Sequence, residues 1–210
     1  MKRAMVWGAG GGIGSALVDQ LSRAGWKTVS VVRDPRKVTD LTSNVIVADV
    51  GDLESVRRAV LGAAESFNEV DLWIYAVGDI LSARVGELMP EEWERILDAN
   101  LTGAYLTAHL SLPLLTEDAH LVFLGAVSER LRLPGLAAYA SAKAGLEAFT
   151  DALRKEQRGR RVTLVRPKAV ATRLWEKVPF AVPHGALSPQ DLAERVLLAH
   201  EEGYSGVLNV

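Results

Sequence analysis

A chain of 210 residues and 22.7 kDa has the length of one domain, and 49% hydrophobic with 24% charged residues excludes a largely disordered chain. Its 26 acidic and 24 basic residues leave a formal net charge of −2, without the basic excess expected of a protein that binds nucleic acid or an anionic membrane. Cysteine is absent, which removes disulfides, thiolate nucleophiles, iron–sulfur clusters and cysteine zinc sites; the histidines, His109, His120, His184 and His200, are scattered, and no metal site is expected.

In chain order, Lys2 and Arg3 precede small and apolar residues in a way that superficially resembles a secretion signal. The candidate apolar stretch holds Gly8, Gly10, Gly11, Gly12 and Gly14, so the segment is read as the first strand, Ala4–Trp7, and its turn, in a cytoplasmic protein. A helix over Ile13–Ala24 follows, with Ile13, Leu17 and Leu21 on one face and Gly25 as its stop. Strands are expected at Thr28–Val32 and Val45–Ala48. Asp52 can cap a helix through Ala64, and a strand follows at Leu72–Tyr75. A long helix is predicted over Glu91–Leu115, a strand at Leu121–Leu124, and a helix at Ala137–Gln157. The strand Val162–Val165, a helix opened by Ser188 and Pro189, and the strand Val207–Val210 complete the chain.

The strand runs are short, rich in β-branched residues and nearly continuous in hydrophobicity, which suits strands buried on both faces of a parallel sheet. No run, Leu121–Val127 included, is long enough to span a membrane. Strand–helix alternation over the whole length predicts one doubly wound α/β domain of the Rossmann type, residues 1–210, with about seven parallel strands and helices on both faces. The charge-dense stretch Arg154–Arg161 reads either as a phosphate or nucleic-acid patch or as a solvated helix C-terminus; the second is favoured, because no wider basic field supports the first.

Gly8-Ala9-Gly10-Gly11-Gly12-Ile13-Gly14 lies between a strand and a helix. A pyrophosphate needs backbone N–H groups at a helix N-terminus and a close approach that side chains would obstruct. The alternative is a plain tight turn, but the flanking elements favour a dinucleotide site. Many such folds end the second strand with an acidic residue for the ribose. Here Val32 and Arg33 stand there, and arginine would pair with a 2′-phosphate, so NADP(H) is expected over NAD(H). The alternative for Arg33 is a surface ion pair with Asp34. Further on, Tyr139 and Lys143 lie one helical turn apart on one face; a cation there would lower the phenol's pKa and fit it for proton transfer.

Together these motifs resemble the short-chain dehydrogenase/reductase family, from Arg3 to Val210. The family's Gly-x-x-x-Gly-x-Gly turn matches Gly8, Gly12 and Gly14; its adenine-contacting Asp matches Asp49, followed by Val50. Its Asn-Asn-Ala-Gly motif falls on Tyr75-Ala76-Val77-Gly78, where only the glycine survives. Its helical asparagine matches Asn100, its Tyr-x-x-x-Lys matches Tyr139 and Lys143, and its threonine after the sixth strand matches Thr172 in Pro167-Lys168-Ala169-Val170-Ala171-Thr172. The resemblance implies an NADP(H)-dependent oxidoreductase of small carbonyl or alcohol compounds. Its catalytic residues would be Tyr139, Lys143 and Asn100. Gly8, Gly11, Gly12, Ile13, Gly14, Arg33, Asp49, Val50, Ala76, Gly78, Tyr139, Lys143 and Thr172 would hold the cofactor. It also implies a homodimer or homotetramer formed through the 91–115 and 137–157 helices.

Two departures bear on function. The family's serine, thirteen residues before the tyrosine, is Ala126 here; Ser128 is either a substitute donor or an ordinary loop hydroxyl. Lys168 replaces a glycine near the expected nicotinamide and either reaches the cofactor phosphates or points to solvent. The segment Arg173–Leu187 that follows is short, and Trp175 and Phe180 are expected to pack it onto the sheet edge. Dihydropteridine reductases are similar in lacking the serine, which makes a pterin or quinone reductase the alternative enzyme. A catalytically weak NADP-binding sensor or scaffold is the alternative from another class.

Overall fold

The computed structural model describes residues 2–38 and 44–210. The strands β1 (Arg3–Trp7), β2 (Lys27–Val32), β3 (Val45–Val47), β4 (Val70–Tyr75), β5 (Leu115–Leu124), β6 (Arg161–Arg166) and β7 (Gly206–Asn209) form one 7-stranded parallel sheet in the order β3-β2-β1-β4-β5-β6-β7. The strand order reverses between β1 and β4, and the crevice beyond their carboxyl ends is where such sheets bind ligands.

Successive strand residues feed two cores, which is why the runs read as continuously apolar. Met5, Trp7, Trp73, Tyr75, Leu121 and Phe123 are buried on one face together with residues of α2 (Leu53–Ser66), α4 (Gly103–Ser111) and α5 (Ala137–Glu156). Ala4, Val6, Leu72, Ile74, Val122 and Leu124 are buried on the other, with Leu17 and Leu21 of α1 (Gly12–Arg23) and Leu192 and Val196 of α6 (Pro189–Glu201). Local signals set the helix ends. The Asp52 side chain accepts from the Glu54 and Ser55 amides, and Ser188 and Asp191 cap α6 reciprocally with Pro189 in its first turn. Gly25, at φ +76°, takes the left-handed turn after α1 that a side chain would strain.

One predicted element divides. The helix expected over 91–115 is α3 (Pro90–Leu97), a π-helical turn over Asp98–Thr102, α4, and a 3₁₀ turn over Leu112–Leu114. Strand β5 begins at Leu115, earlier than expected: Leu115 pairs with Val70 and His120 with Leu72, with an irregularity between.

At the amino ends of the strands, remote from the crevice, two histidines form a relay. Thr163 donates its hydroxyl hydrogen to the Tyr204 carbonyl, so its oxygen accepts from His120 Nε2 at 2.8 Å. His120 Nδ1 then accepts from His200 Nδ1 at 3.1 Å. The relay ties β5, β6 and α6 together.

Candidate active site

The glycine turn leaves β1 at the strand crossover. Gly8 has φ +84°, and a Cβ there would stand 2.8 Å from the Ala76 carbonyl carbon on the neighbouring strand's exit. A Cβ on Gly14 would meet the Gly8 carbonyl oxygen at 2.1 Å, so only glycine lets the helix start this close to the strand. Gly11 and Gly12 are exposed, Ile13 is half-buried, and Gly11 caps α1 without a side-chain bond. The first turn holds no acidic residue and no side chain caps it, so the positive end of the helix dipole is left without a partner at exposed Gly11 and Gly12. Thr172 crosses over this turn, its methyl 3.1 Å from where a Gly12 Cβ would lie. This open cradle fits a dinucleotide pyrophosphate.

Arg33 follows β2, exposed, with no hydrogen bond or ion pair among the described residues. The expected alternative, a pair with Asp34, does not form. Arg36 takes that carboxylate instead, Nε to Oδ1 at 2.9 Å, and holds it below the usual carboxylate range. Lys37 stands beside the glycine turn, its Cβ 3.1 Å from a Gly10 Cβ position. Asp49 is exposed and turns one carboxylate oxygen to the Gly51 amide at 3.0 Å; Val50 is half-buried behind it.

Past β4, Ala76 donates its amide to the Trp7 carbonyl at 2.9 Å. Gly78 is where the remaining groups converge. A Cβ there would lie 3.2 Å from Asn100 Oδ1 and 3.9 Å from Lys143 Nζ. Asn100 is fully buried in the π turn; its amide donates to the carbonyls of Asp79 at 2.7 Å and Ile96 at 2.8 Å, while its oxygen has no partner. A buried acceptor left open beside an ammonium marks a place for a ligand or water. Lys143 Nζ donates to the Leu124 carbonyl at 2.9 Å and stands 5.7 Å from the centre of the Tyr139 ring.

The electrostatics depart from the sequence expectation that Lys143 lowers the Tyr139 pKa. Burial pushes the Tyr139 phenol up to about 12 and pushes Lys143 down to about 8. The ammonium is spent on a carbonyl, so in the chain alone desolvation outweighs its pull on the phenol. A phenol so held is protonated at neutral pH and is placed to give a proton.

The serine position is filled as the sequence reads. The Ala126 carbonyl accepts from Arg166 Nε at 3.3 Å. Ser128 is buried, and its hydroxyl donates to Glu147 Oε2 at 3.1 Å, so it does not replace the missing donor. Arg166 also pairs with Glu147 and Glu129, bracing this loop. Lys168 is exposed and its side chain has no partner among the described residues.

Sequence reasoning missed a cluster of charges beside Asn100. Asp79, buried, is gripped by Arg95 of α3 and by Lys177 of the 3₁₀ segment Arg173–Lys177. That segment lays Leu174 and Val178 against the cluster holding Tyr139, Ile80 and Leu136. Trp175 anchors it by donating to the Val170 carbonyl at 2.8 Å, as expected of packing, while Phe180 is 38% exposed and not packed away. Lys177 and Asp79 lie 98 residues apart, and no local pattern links them. Among the described residues no three His, Cys, Asp or Glu side chains are grouped to hold a metal, and no helix is long and apolar enough to cross a membrane.

Comparison with known proteins places this geometry. The profile of the short chain dehydrogenase family matches residues 2–181. An uncharacterized oxidoreductase of Staphylococcus aureus (strain USA300) is 30% identical over 209 residues, covering 94% of this chain and 90% of that protein; one of Staphylococcus epidermidis is 28% identical over 208. The structure superposes on a 3-ketoacyl-(acyl-carrier-protein) reductase of Brucella melitensis complexed with NADH, with a TM-score of 0.89 and 25% identity, over 100% of this chain and 96% of that one. An alcohol dehydrogenase of Thermococcus sibiricus, complexed with 5-hydroxy-NADP, matches with a TM-score of 0.89 and 24% identity, over 100% and 95% of the two chains.

Proposed function

The chain belongs to the short-chain dehydrogenase family and is an oxidoreductase, and we propose that it uses NADP(H) to reduce a small carbonyl compound, or oxidises the corresponding alcohol. The observation that carries this reading is the convergence of Asn100, Lys143 and Gly78 with Tyr139, beside an open glycine-lined helix start.

The reduced nicotinamide, when bound, supplies the hydride. The turn from Gly8 to Gly14, with the first N–H groups of α1, takes the pyrophosphate. Arg33, with no competing carboxylate, takes the 2′-phosphate, and Asp49 and Val50 flank the adenine. Ala76, Gly78 and Thr172 line the path toward the reacting centre. Lys143 holds the ribose hydroxyls, and Asn100 accepts from a water that links Lys143 to solvent. Tyr139 gives its phenolic proton to the substrate oxygen as that oxygen gains charge, and in the reverse direction takes it back. Leu174 and Val178 exclude water from this step.

The Ala126 position favours a second reading. With Ser128 committed to Glu147, a developing alkoxide has Tyr139 as its sole side-chain donor. A quinonoid pterin or a quinone is reduced without a carbonyl oxyanion at that place and tolerates the loss, as in the dihydropteridine-reductase-like pattern. A weak NADP-binding sensor is less favoured, because a pure binder has no use for Tyr139. Two further readings go with the main one. A cytoplasmic location fits the supply of the nicotinamide cofactor that the main reading requires. Tyr105, 47% exposed and set against Phe149, supports a homodimer or homotetramer through α3–α4 and α5. Leu114, Leu146 and Leu153, by contrast, are buried within the protomer.

The test is NADPH oxidation with a ketone and with a quinonoid pterin, by the wild type and by Ala126→Ser. Under the carbonyl reading the added hydroxyl raises ketone turnover by up to about 100-fold; under the pterin reading pterin reduction is unchanged and dominant. Consumption of neither substrate class by either protein contradicts both.

A further inference from the structure

We propose that Tyr75 is a positioning residue for the active site: its phenol holds the π turn in the register that aims the Asn100 carboxamide oxygen at the space shared by Gly78 and Lys143. The proposal rests on the reading of Asn100 as part of the active site. It assigns a role to a residue that stands where the family pattern has a different side chain.

Tyr75 ends β4 and is fully buried. Its ring belongs to the core, with ring centres 6.2 Å from Trp73 and 6.5 Å from Phe123. Its hydroxyl does something a phenylalanine could not: it donates to the Ala99 carbonyl at 2.9 Å, across 24 residues. Ala99 precedes Asn100 inside the π turn, where the Gly103 amide reaches back to the Asp98 carbonyl. Such a turn carries one residue more than an α-helix would, is uncommon and is frequent at functional sites. Glycine at 103 leaves the phenol its place, since a Cβ there would lie 2.7 Å from the Tyr75 oxygen.

The consequence falls on Asn100. Its amide is fixed at two carbonyls, Ile96 within its own helix and Asp79 beyond β4, and that leaves its oxygen open toward Gly78 and Lys143. If the turn relaxed to α-helical register, the residues after Leu97 would rotate about the helix axis, and Asn100 could not keep both bonds. The phenol therefore acts through Asn100 and touches neither substrate nor cofactor.

Tyr75→Phe removes the hydroxyl and keeps the ring. Amide hydrogen exchange over Asp98–Thr102 should then accelerate by about tenfold, the scale expected when a buried acceptor loses its donor. The same factor should appear as a fall in kcat of about tenfold, with KM and the NADPH dissociation constant within about twofold of wild type. Added to Asn100→Ala, the substitution should cost nothing more, because the two residues act in series. Unchanged exchange in the turn overturns the proposal. So does faster exchange with wild-type kcat, and so does a Tyr75→Phe loss that multiplies in full on Asn100→Ala. A wild type that turns over neither the ketone nor the quinonoid pterin defeats the substrate reading of the proposed function instead, and the exchange measurement then decides the clamp alone.

Discussion

Arg33 and Asp34 show how neighbouring charges sort themselves at the scale of single residues. Arg36 is two positions from Asp34 and donates both its backbone amide and its forked guanidinium to that carboxylate, which leaves Arg33 unclaimed at the end of β2. A guanidinium there attracts a phosphate dianion through a charge-assisted bond. NADPH should accordingly bind at least about tenfold more tightly than NADH, a difference of about 1.4 kcal/mol. Arg33→Asp should reverse the order, and calorimetry with both cofactors checks it; equal affinities in the wild type contradict it. Tyr139 and Lys143 make the opposite point. Their spacing was legible from sequence, but the sign of the tyrosine's shift was not, because it depends on burial and on the Leu124 carbonyl that occupies the ammonium.

At the scale of elements, the strands, the glycine turn and the caps were readable because each is set by neighbours in sequence: continuously apolar runs, a glycine between strand and helix, Asp52 and Ser188 at helix starts. The break at Asn100 was not readable. Gly103 gives no local sign of it, since what forbids a side chain there is the Asp98 carbonyl, Val50 and the Tyr75 hydroxyl that reaches the Ala99 carbonyl from β4. The Asp79 grip by Arg95 and Lys177 was hidden too, as its three members come from three separate segments. The histidine relay was equally silent in sequence, and it makes a pH prediction. Burial first, then Arg161, pushes His120 down to about 3 and His200 down to about 4 from the ordinary 6.5. Well above pH 6.5 both are neutral folded or unfolded, and their burial costs the fold nothing through protonation. As pH falls from 6.5 toward 3, the unfolded chain takes up protons that the folded chain refuses, and stability is progressively lost. His200→Gln keeps a donor for His120 but removes one such group. Its melting temperature should fall less than that of the wild type between pH 7.5 and pH 5, and equal falls contradict the relay's role.

For the whole molecule, the sheet places every proposed functional group at the carboxyl ends of its strands and leaves the histidine relay at the other ends, so binding and bracing are separated. The π turn running into α4, together with α5, carries Asn100, Tyr139 and Lys143 and also the outer face with Tyr105. Association through that face would fix both helices at once, and light scattering at micromolar concentration should give at least twice 22.7 kDa; a single species of that mass contradicts it. The central claim, that this fold moves a hydride from NADPH and a proton from Tyr139 to one substrate, is tested most directly by the initial rate of NADPH oxidation by Tyr139→Phe relative to wild type, with calorimetric NADPH affinity measured on the same samples. The rate should fall by about 100-fold to 10,000-fold, the range for a lost general acid, while the affinity stays within about twofold. A Tyr139→Phe protein that reduces substrate at the wild-type rate would contradict the account.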